Sequence, residues 1–147
     1  MVLHRMWGED RMKAMSYGKV VEAFGQRMDK LVAVSYEYHK SDPLIVDVTF
    51  YETDHDTGVV HVIPWQISRE LFATALKSGW AGGADVTLED SDRKVAMKLE
   101  TDEFKTVIEL NRSHLEEFIE KTDSVIPIGR EPMDDIIDAL VKEIFEA

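Results

Sequence analysis

The chain has 147 residues, 44% of them hydrophobic and 31% charged, which suits one domain with a buried core. Its 29 acidic and 17 basic side chains give a formal net charge of -12, which disfavours a nucleic-acid backbone as a partner. The absence of cysteine excludes disulfides, thiolate nucleophiles and cysteine-based zinc sites. Apolar runs are far shorter than the roughly 20 residues that cross a bilayer. We therefore expect a cytoplasmic protein without a transmembrane segment.

The first 28 residues are predicted to form an N-terminal amphipathic helical segment, followed by a domain over residues 29–147. Six apolar side chains fall roughly on one face of a helix from Glu9 to Met28: Met12, Met15, Val20, Val21, Phe24 and Met28. Gly18 and Gly25 interrupt this pattern and weaken it, because glycine destabilises a helix interior. We expect the helix to pack on the core of its own chain.

Alternating apolar and polar residues from Leu31 onward predict two antiparallel meanders of three strands each. The first meander has strands over 31–38, 44–53 and 59–65, and the second over 84–89, 94–100 and 104–110. Turn sequences such as SDP, DHDTG and DSD separate the strands. The fold class indicated is therefore α+β.

A helix is predicted between the two meanders, within the sequence PWQISRELFATALKSGWAGGADV of residues 64–86. Ser68 can cap its first turn, and Glu70 places negative charge at the positive end of the helix dipole. Gly79 ends the helix. Trp65 and Leu71 are expected to contribute to the core.

Two further helices are predicted after the second meander. Ser113 and Glu116 match a capping box, which predicts a helix over 114–122 with Leu115, Phe118 and Ile119 facing inward. A C-terminal helix is expected to begin at Pro132. Its apolar stripe must dock on the chain's own sheets or on another subunit, and consists of Ile136, Ile137, Leu140, Val141, Ile144 and Phe145.

No catalytic, cofactor-binding or metal-binding residue is predicted. The turn DHDTG at residues 54–58 resembles a calcium loop, but Trp65 occupies the twelfth position, where a bidentate glutamate is required. His55 and His61 lie on the same hairpin without a third ligand at a suitable spacing. A solvated turn is therefore the preferred interpretation, and we expect a non-enzymatic protein.

The glycine-rich sequence GWAGG at residues 79–83 follows a helix and lacks the Gly-Lys-Ser/Thr ending of a phosphate-binding loop. Phosphate binding is therefore disfavoured there. Trp80 is a large aromatic residue among small ones, which predicts either a lid over the core or a contact for a partner.

Four motifs in a fixed order resemble those of the SsgA-like family of actinobacterial sporulation and cell-division regulators. They are Asp42-Pro43 followed by a strand to Phe50, WQISRELF at 65–72, GGADV at 82–86, and FIEKT at 118–122 with 125–131. The resemblance covers about residues 29–141. Residues 1–28 form a longer N-terminal segment than the family pattern has.

This resemblance implies a non-enzymatic adaptor that recruits the tubulin-like division protein FtsZ to the septum, alongside another family member. It implies two antiparallel sheets packed face to face in a Whirly-like arrangement, and a homo-oligomer, expected to be a trimer. Arg69, Glu70 and Trp80 are the candidate partner contacts. The alternative function is a Whirly-like single-stranded nucleic-acid binder, which needs a basic groove that the charge of -12 disfavours.

Overall fold

The computed structural model describes residues 11–131 and the backbone of residues 4–7. Its strands are β1 (His4–Trp7), β2 (Arg11–Ala23), β3 (Gln26–His39), β4 (Ile45–Thr53), β5 (Val60–Ser68), β6 (Trp80–Gly82), β7 (Val86–Ser91), β8 (Lys94–Glu100) and β9 (Lys105–Asn111). Its helices are α1 (Arg69–Ser78) and α2 (Arg112–Val125). The α+β class and the two meanders are confirmed, as β3–β4–β5 and β7–β8–β9.

The described strands form one antiparallel sheet, hydrogen-bonded in the order β5-β4-β3-β2-β9-β8-β7-β6, with β1 paired to β2. The two separate sheets that were expected are not seen, because β2 is hydrogen-bonded to β3 on one side and to β9 on the other and so joins the two halves into one sheet. The inner faces of both halves contribute to one core. Helix α1 connects the edge strands β5 and β6, and so links the two ends of the sheet.

The predicted N-terminal helix is wrong over the described residues 11–28, which form β2, a tight turn and the start of β3. Burial along β2 alternates with a period of two, as in a strand with one face on the core. Phe24 and Gly25 form the two-residue turn, with φ of 51° and 78°. Residues 11–28 therefore belong to the same folded unit as the rest of the sheet.

Gly18 shows why this segment is extended. A Cβ atom at Gly18 would lie 3.0 Å from the carbonyl oxygen of Glu109, on the neighbouring strand β9. The glycine therefore permits a close approach of two strands, and does not mark a weak point in a helix.

Helix α1 forms as predicted. The Ser68 side chain accepts a hydrogen bond from the backbone N–H of Leu71, and Gly79 ends the helix in the left-handed region with φ of 88°. Phe72 is buried in the core, and Leu71 and Trp65 pack against it at partial burial.

Helix α2 buries Leu115, Phe118 and Ile119 as predicted, but its start differs from the prediction. The N-cap is Asn111, whose side chain accepts a hydrogen bond from the backbone N–H of His114. Ser113 instead donates its hydroxyl to the Asn111 side chain, so the capping-box prediction is wrong. The C-terminal helix predicted from Pro132 lies outside the described residues.

Candidate partner-binding surfaces

Arg69, the first residue of α1, is fully buried where α1 meets the end of α2. Its Nη1 donates to the backbone carbonyls of Thr122, at 3.1 Å, and Ile126, at 2.6 Å. Its Nη2 forms a 2.6 Å ion pair with Oε1 of Glu131. The Tyr38 ring faces the guanidinium, with 4.8 Å from Cζ to the ring centroid, in a cation–π contact. Arg69 therefore holds α1, α2 and the following segment together.

The prediction that Arg69 contacts a partner is wrong, because its exposed fraction is 0%. Arginine is rarely buried without charged or polar partners, and here those partners come from residues more than fifty positions away. A sequence pattern does not show such contacts. Glu70 and Trp80 remain exposed, so they stay candidate contacts.

The ion pair between Arg69 and Glu131 predicts a pH-dependent contribution to stability. Burial is the largest single effect and raises the pKa of the Glu131 carboxyl, but the hydrogen bond and charge of Arg69, together with hydrogen bonds from the backbone N–H groups of Glu131 and Gly129, outweigh it and lower this pKa below its ordinary value of 4.5. A carboxyl with a lowered folded pKa stabilises the protein above its unfolded pKa, and this contribution is lost as the pH falls through the folded pKa.

We expect Glu131→Gln to destabilise the protein at neutral pH, with the difference from wild type shrinking below pH 4.5 as wild-type Glu131 becomes protonated. Urea unfolding across this pH range measures the difference. Glu103→Gln, at an exposed turn residue, is the matched control and is expected to have little effect. If Glu131→Gln lowered the free energy of unfolding by the same amount at every pH, the result would contradict a stabilising role for the ionised Glu131 carboxylate.

The exposed face of α1 forms a polar stripe that leads to Trp80. Glu70, Thr74 and Lys77 are exposed along the helix, and Trp80 follows in β6 with 58% of its surface exposed. The Trp80 ring lies across Gly82, where a Cβ atom would come within 2.8 Å of it. This exposure favours the interpretation of Trp80 as a partner contact over that of a lid.

The outer face of β3, β4 and β5 carries an apolar surface that the sequence interpretation missed. Leu31, Val60 and Val62 are 72%, 52% and 57% exposed. Strand register places Ala33 opposite Tyr51 and Tyr51 opposite Val62, on the same face. A strand with valines on its outer face as well as apolar residues on its inner face is the sequence signal that would have indicated this second surface. We call these five residues the outer apolar surface.

The turn at Asp54 has a structural role. The Asp54 side chain accepts hydrogen bonds from the backbone N–H groups of Asp56 and Thr57, and these bonds lower the pKa of its carboxyl. No group of three histidine or acidic side chains within the described ranges is placed to hold a metal ion. Neither of the two described helices is long and apolar enough to cross a membrane.

Comparison with known proteins identifies the family. A family model described as the Streptomyces sporulation and cell division protein SsgA matches residues 32–131. This chain belongs to the SsgA family.

Two relatives of this chain carry the name sporulation-specific cell division protein SsgB. The relative from Frankia casuarinae is 29% identical over 111 residues, covering 73% of this chain and 72% of that protein. The relative from Kineococcus radiotolerans is 25% identical over 119 residues, covering 77% of this chain and 68% of that protein.

Solved SsgA-family structures share the fold. An SsgB structure connected with sporulation of Streptomyces coelicolor superposes with a TM-score of 0.69 and 25% identity, over 82% of this chain and 92% of that chain. An SsgA-like sporulation-specific cell division protein from Thermobifida fusca superposes with a TM-score of 0.74 and 20% identity, over 94% of this chain and 98% of that chain. The SsgA match includes Arg69, the α1 stripe and most of the outer apolar surface, whereas β2 precedes it.

Proposed function

We propose that this chain is a non-enzymatic cell-division and sporulation regulator, which acts as a homo-oligomeric adaptor and helps recruit FtsZ at the division septum. Membership of the SsgA family and the SsgB relatives support the role in cell division. A second SsgA-like protein is a further partner in this proposal. The adaptor acts in the cytoplasm, and the oligomer is a trimer with the Whirly-like arrangement of its sheet halves.

The observation that carries the adaptor role is that two exposed surfaces of different chemistry lie apart on the same fold. The outer apolar surface includes Val60 and Val62 at the start of β5, whereas α1 begins after Ser68 at the end of that strand. Val60 and Ser68 are eight residues apart along β5, which corresponds to roughly 26 Å. An apolar surface of this kind suits self-association, and a polar stripe ending in an exposed tryptophan suits recognition of a second protein.

Pro64 indicates how the copies associate. It lies in β5, an edge strand that pairs only with β4 among the described elements, and it has no N–H to donate to an added strand. A proline on an edge strand disfavours growth of the sheet by strand addition. Association is therefore proposed to use the side chains of the outer apolar surface.

Co-sedimentation with FtsZ polymers tests the recruiting role. We expect the wild-type chain to sediment with the polymers and the double variant Glu70→Lys, Trp80→Ala to lose about tenfold or more in affinity, as for a central aromatic contact. Glu103→Lys adds the same charge at an exposed turn outside the stripe and is the control. Absence of wild-type binding at roughly tens of micromolar protein would contradict recruitment of FtsZ.

A further inference from the structure

The curled sheet encloses a cavity of about 400 Å³ at the end of its strands away from the helix starts. Its walls come from the ends of β2, β4 and β8 and the beginnings of β3 and β9, with β5 closing one side. Helix α1 begins at the far end of β5, and α2 at the far end of β9. None of the described residues that line the cavity is helical, so neither α1 nor α2 covers this end of the interior.

The cavity wall is mostly apolar and includes four aromatic side chains. Phe24, Phe50, Trp65 and Phe104 line it, and the rings of Trp65 and Phe104 lie 6.2 Å apart between centroids. A volume of this size falls within the range of about 300–1,000 Å³ found for small-molecule sites, which are mostly apolar and occur at the mouths of curled sheets.

Phe24 lies at the mouth in a conformation that phenylalanine disfavours. It has φ of 51° in the two-residue turn between β2 and β3, where asparagine is the common residue, and 67% of its surface is exposed. Its ring contacts the Phe104 ring edge to face at 5.8 Å, and its N–H donates to the Lys105 carbonyl at 2.8 Å. An exposed aromatic side chain held in a strained turn over an apolar cavity points to a role beyond folding.

The polar lining residues are Gln26, Glu52 and Thr106, and the charged one, Glu52, indicates the head group of a ligand. One carboxylate oxygen of Glu52 is paired with Lys30 at 2.7 Å, and the Glu52 side chain is 32% exposed, which leaves its second oxygen accessible to a donor. Lys30 contacts Glu52 but does not itself line the cavity, the described lining residues include no cationic side chain, and the chain as a whole carries a charge of -12. A ligand that donates a hydrogen bond to Glu52 fits, and an anionic head group does not.

We propose that this cavity binds one small amphiphile, with an apolar tail among the four aromatic rings and a hydroxyl or ammonium head at Glu52. Phe24 covers the tail. This site is separate from the α1 stripe and from the outer apolar surface. If the cavity binds no amphiphile, the adaptor proposal is unchanged, and if FtsZ is not recruited, the cavity proposal is unchanged.

Titration of the full chain with dodecylamine tests the proposal. Trp7→Phe and Trp80→Phe leave Trp65 as the only tryptophan, so its fluorescence reports on the cavity wall. We expect a saturable change below the micelle concentration, with laurate binding at least about tenfold more weakly. Glu52→Gln is expected to abolish this preference for the amine. Absence of a saturable change, or a preference unaffected by Glu52→Gln, would overturn the proposal.

Three further variants separate specific binding from adsorption of a cationic amphiphile to an acidic protein. Ala23→Leu fills the cavity and is expected to block binding, whereas Ala96→Leu makes the same change on β8 outside the cavity and is expected to have no effect. Phe24→Asn relieves the strained turn, so the fold should be retained while dodecylamine binds about tenfold more weakly. Equal binding by all three variants would show adsorption only and would reject the site.

Discussion

Arg69→Ala is expected to lower the free energy of unfolding by about 3–5 kcal/mol, which is a large part of the stability of a domain this size. The substitution removes the donor to two backbone carbonyls and leaves the Glu131 carboxylate, whose side chain is only 7% exposed, without its cation. It also leaves a space beneath Tyr38. Urea unfolding monitored by circular dichroism measures the loss.

Three controls separate the geometry of this cluster from its charge. Arg69→Lys keeps the charge but not the planar fork, so it is expected to recover less than about half of the loss. The double variant Arg69→Met, Glu131→Leu leaves no buried charge unpaired and is expected to be more stable than Arg69→Ala. Arg27→Ala removes an exposed arginine and is expected to change stability by less than about 0.5 kcal/mol. An Arg69→Ala variant as stable as Arg27→Ala would contradict the structural role.

The Arg69 cluster explains in physical terms why widely spaced motifs together identify the family. Arg69 belongs to the WQISRELF motif, and its acceptors Thr122, Ile126 and Glu131 belong to the motif segments at 118–122 and 125–131. The Tyr38 hydroxyl donates to the carbonyl of Pro43, which brings the Asp42-Pro43 motif to the same place. Three of the four motifs thus meet inside the fold, around an arginine that the sequence interpretation assigns to partner contact.

The strands after residue 31, apart from the three-residue β6, could be predicted because apolar side chains alternate along them and turn residues separate them. Strand β2 could not, because small or polar residues occupy several of its inward positions. Ser16 is buried there and forms a 2.6 Å hydrogen bond with His114, 98 positions away. Gly18 allows the close approach of β9. The remaining apolar residues then fit a helical period equally well. Long-range contacts decide such a segment, and local pattern does not contain them.

Val62→Lys is expected to convert the proposed homo-oligomer into a monomer. Val62 lies in the outer apolar surface, beside Tyr51 across the strand pair. Burial of one valine side chain contributes about 1.5 kcal/mol or more, so its loss weakens each interface by at least about tenfold. A lysine at the same position adds the cost of burying a charge. Light scattering measures the change as a fall in mass from a multiple of 16.8 kDa to 16.8 kDa itself.

Gln66→Lys is the matched control, because it makes the same charge change on the same strand. Gln66 is exposed and pairs across from Asp47 toward the end of β5, on the face that carries Val62 but beyond the outer apolar surface. It should leave the oligomer intact, as should Glu70→Lys with Trp80→Ala. Dissociation by Gln66→Lys and Val62→Lys alike would indicate a general effect of charge, whereas an unaffected Val62→Lys oligomer would place the interface elsewhere. Dissociation by Val62→Lys alone would show that self-association uses the apolar side chains at the start of β5, which leaves the α1 stripe free for a second protein.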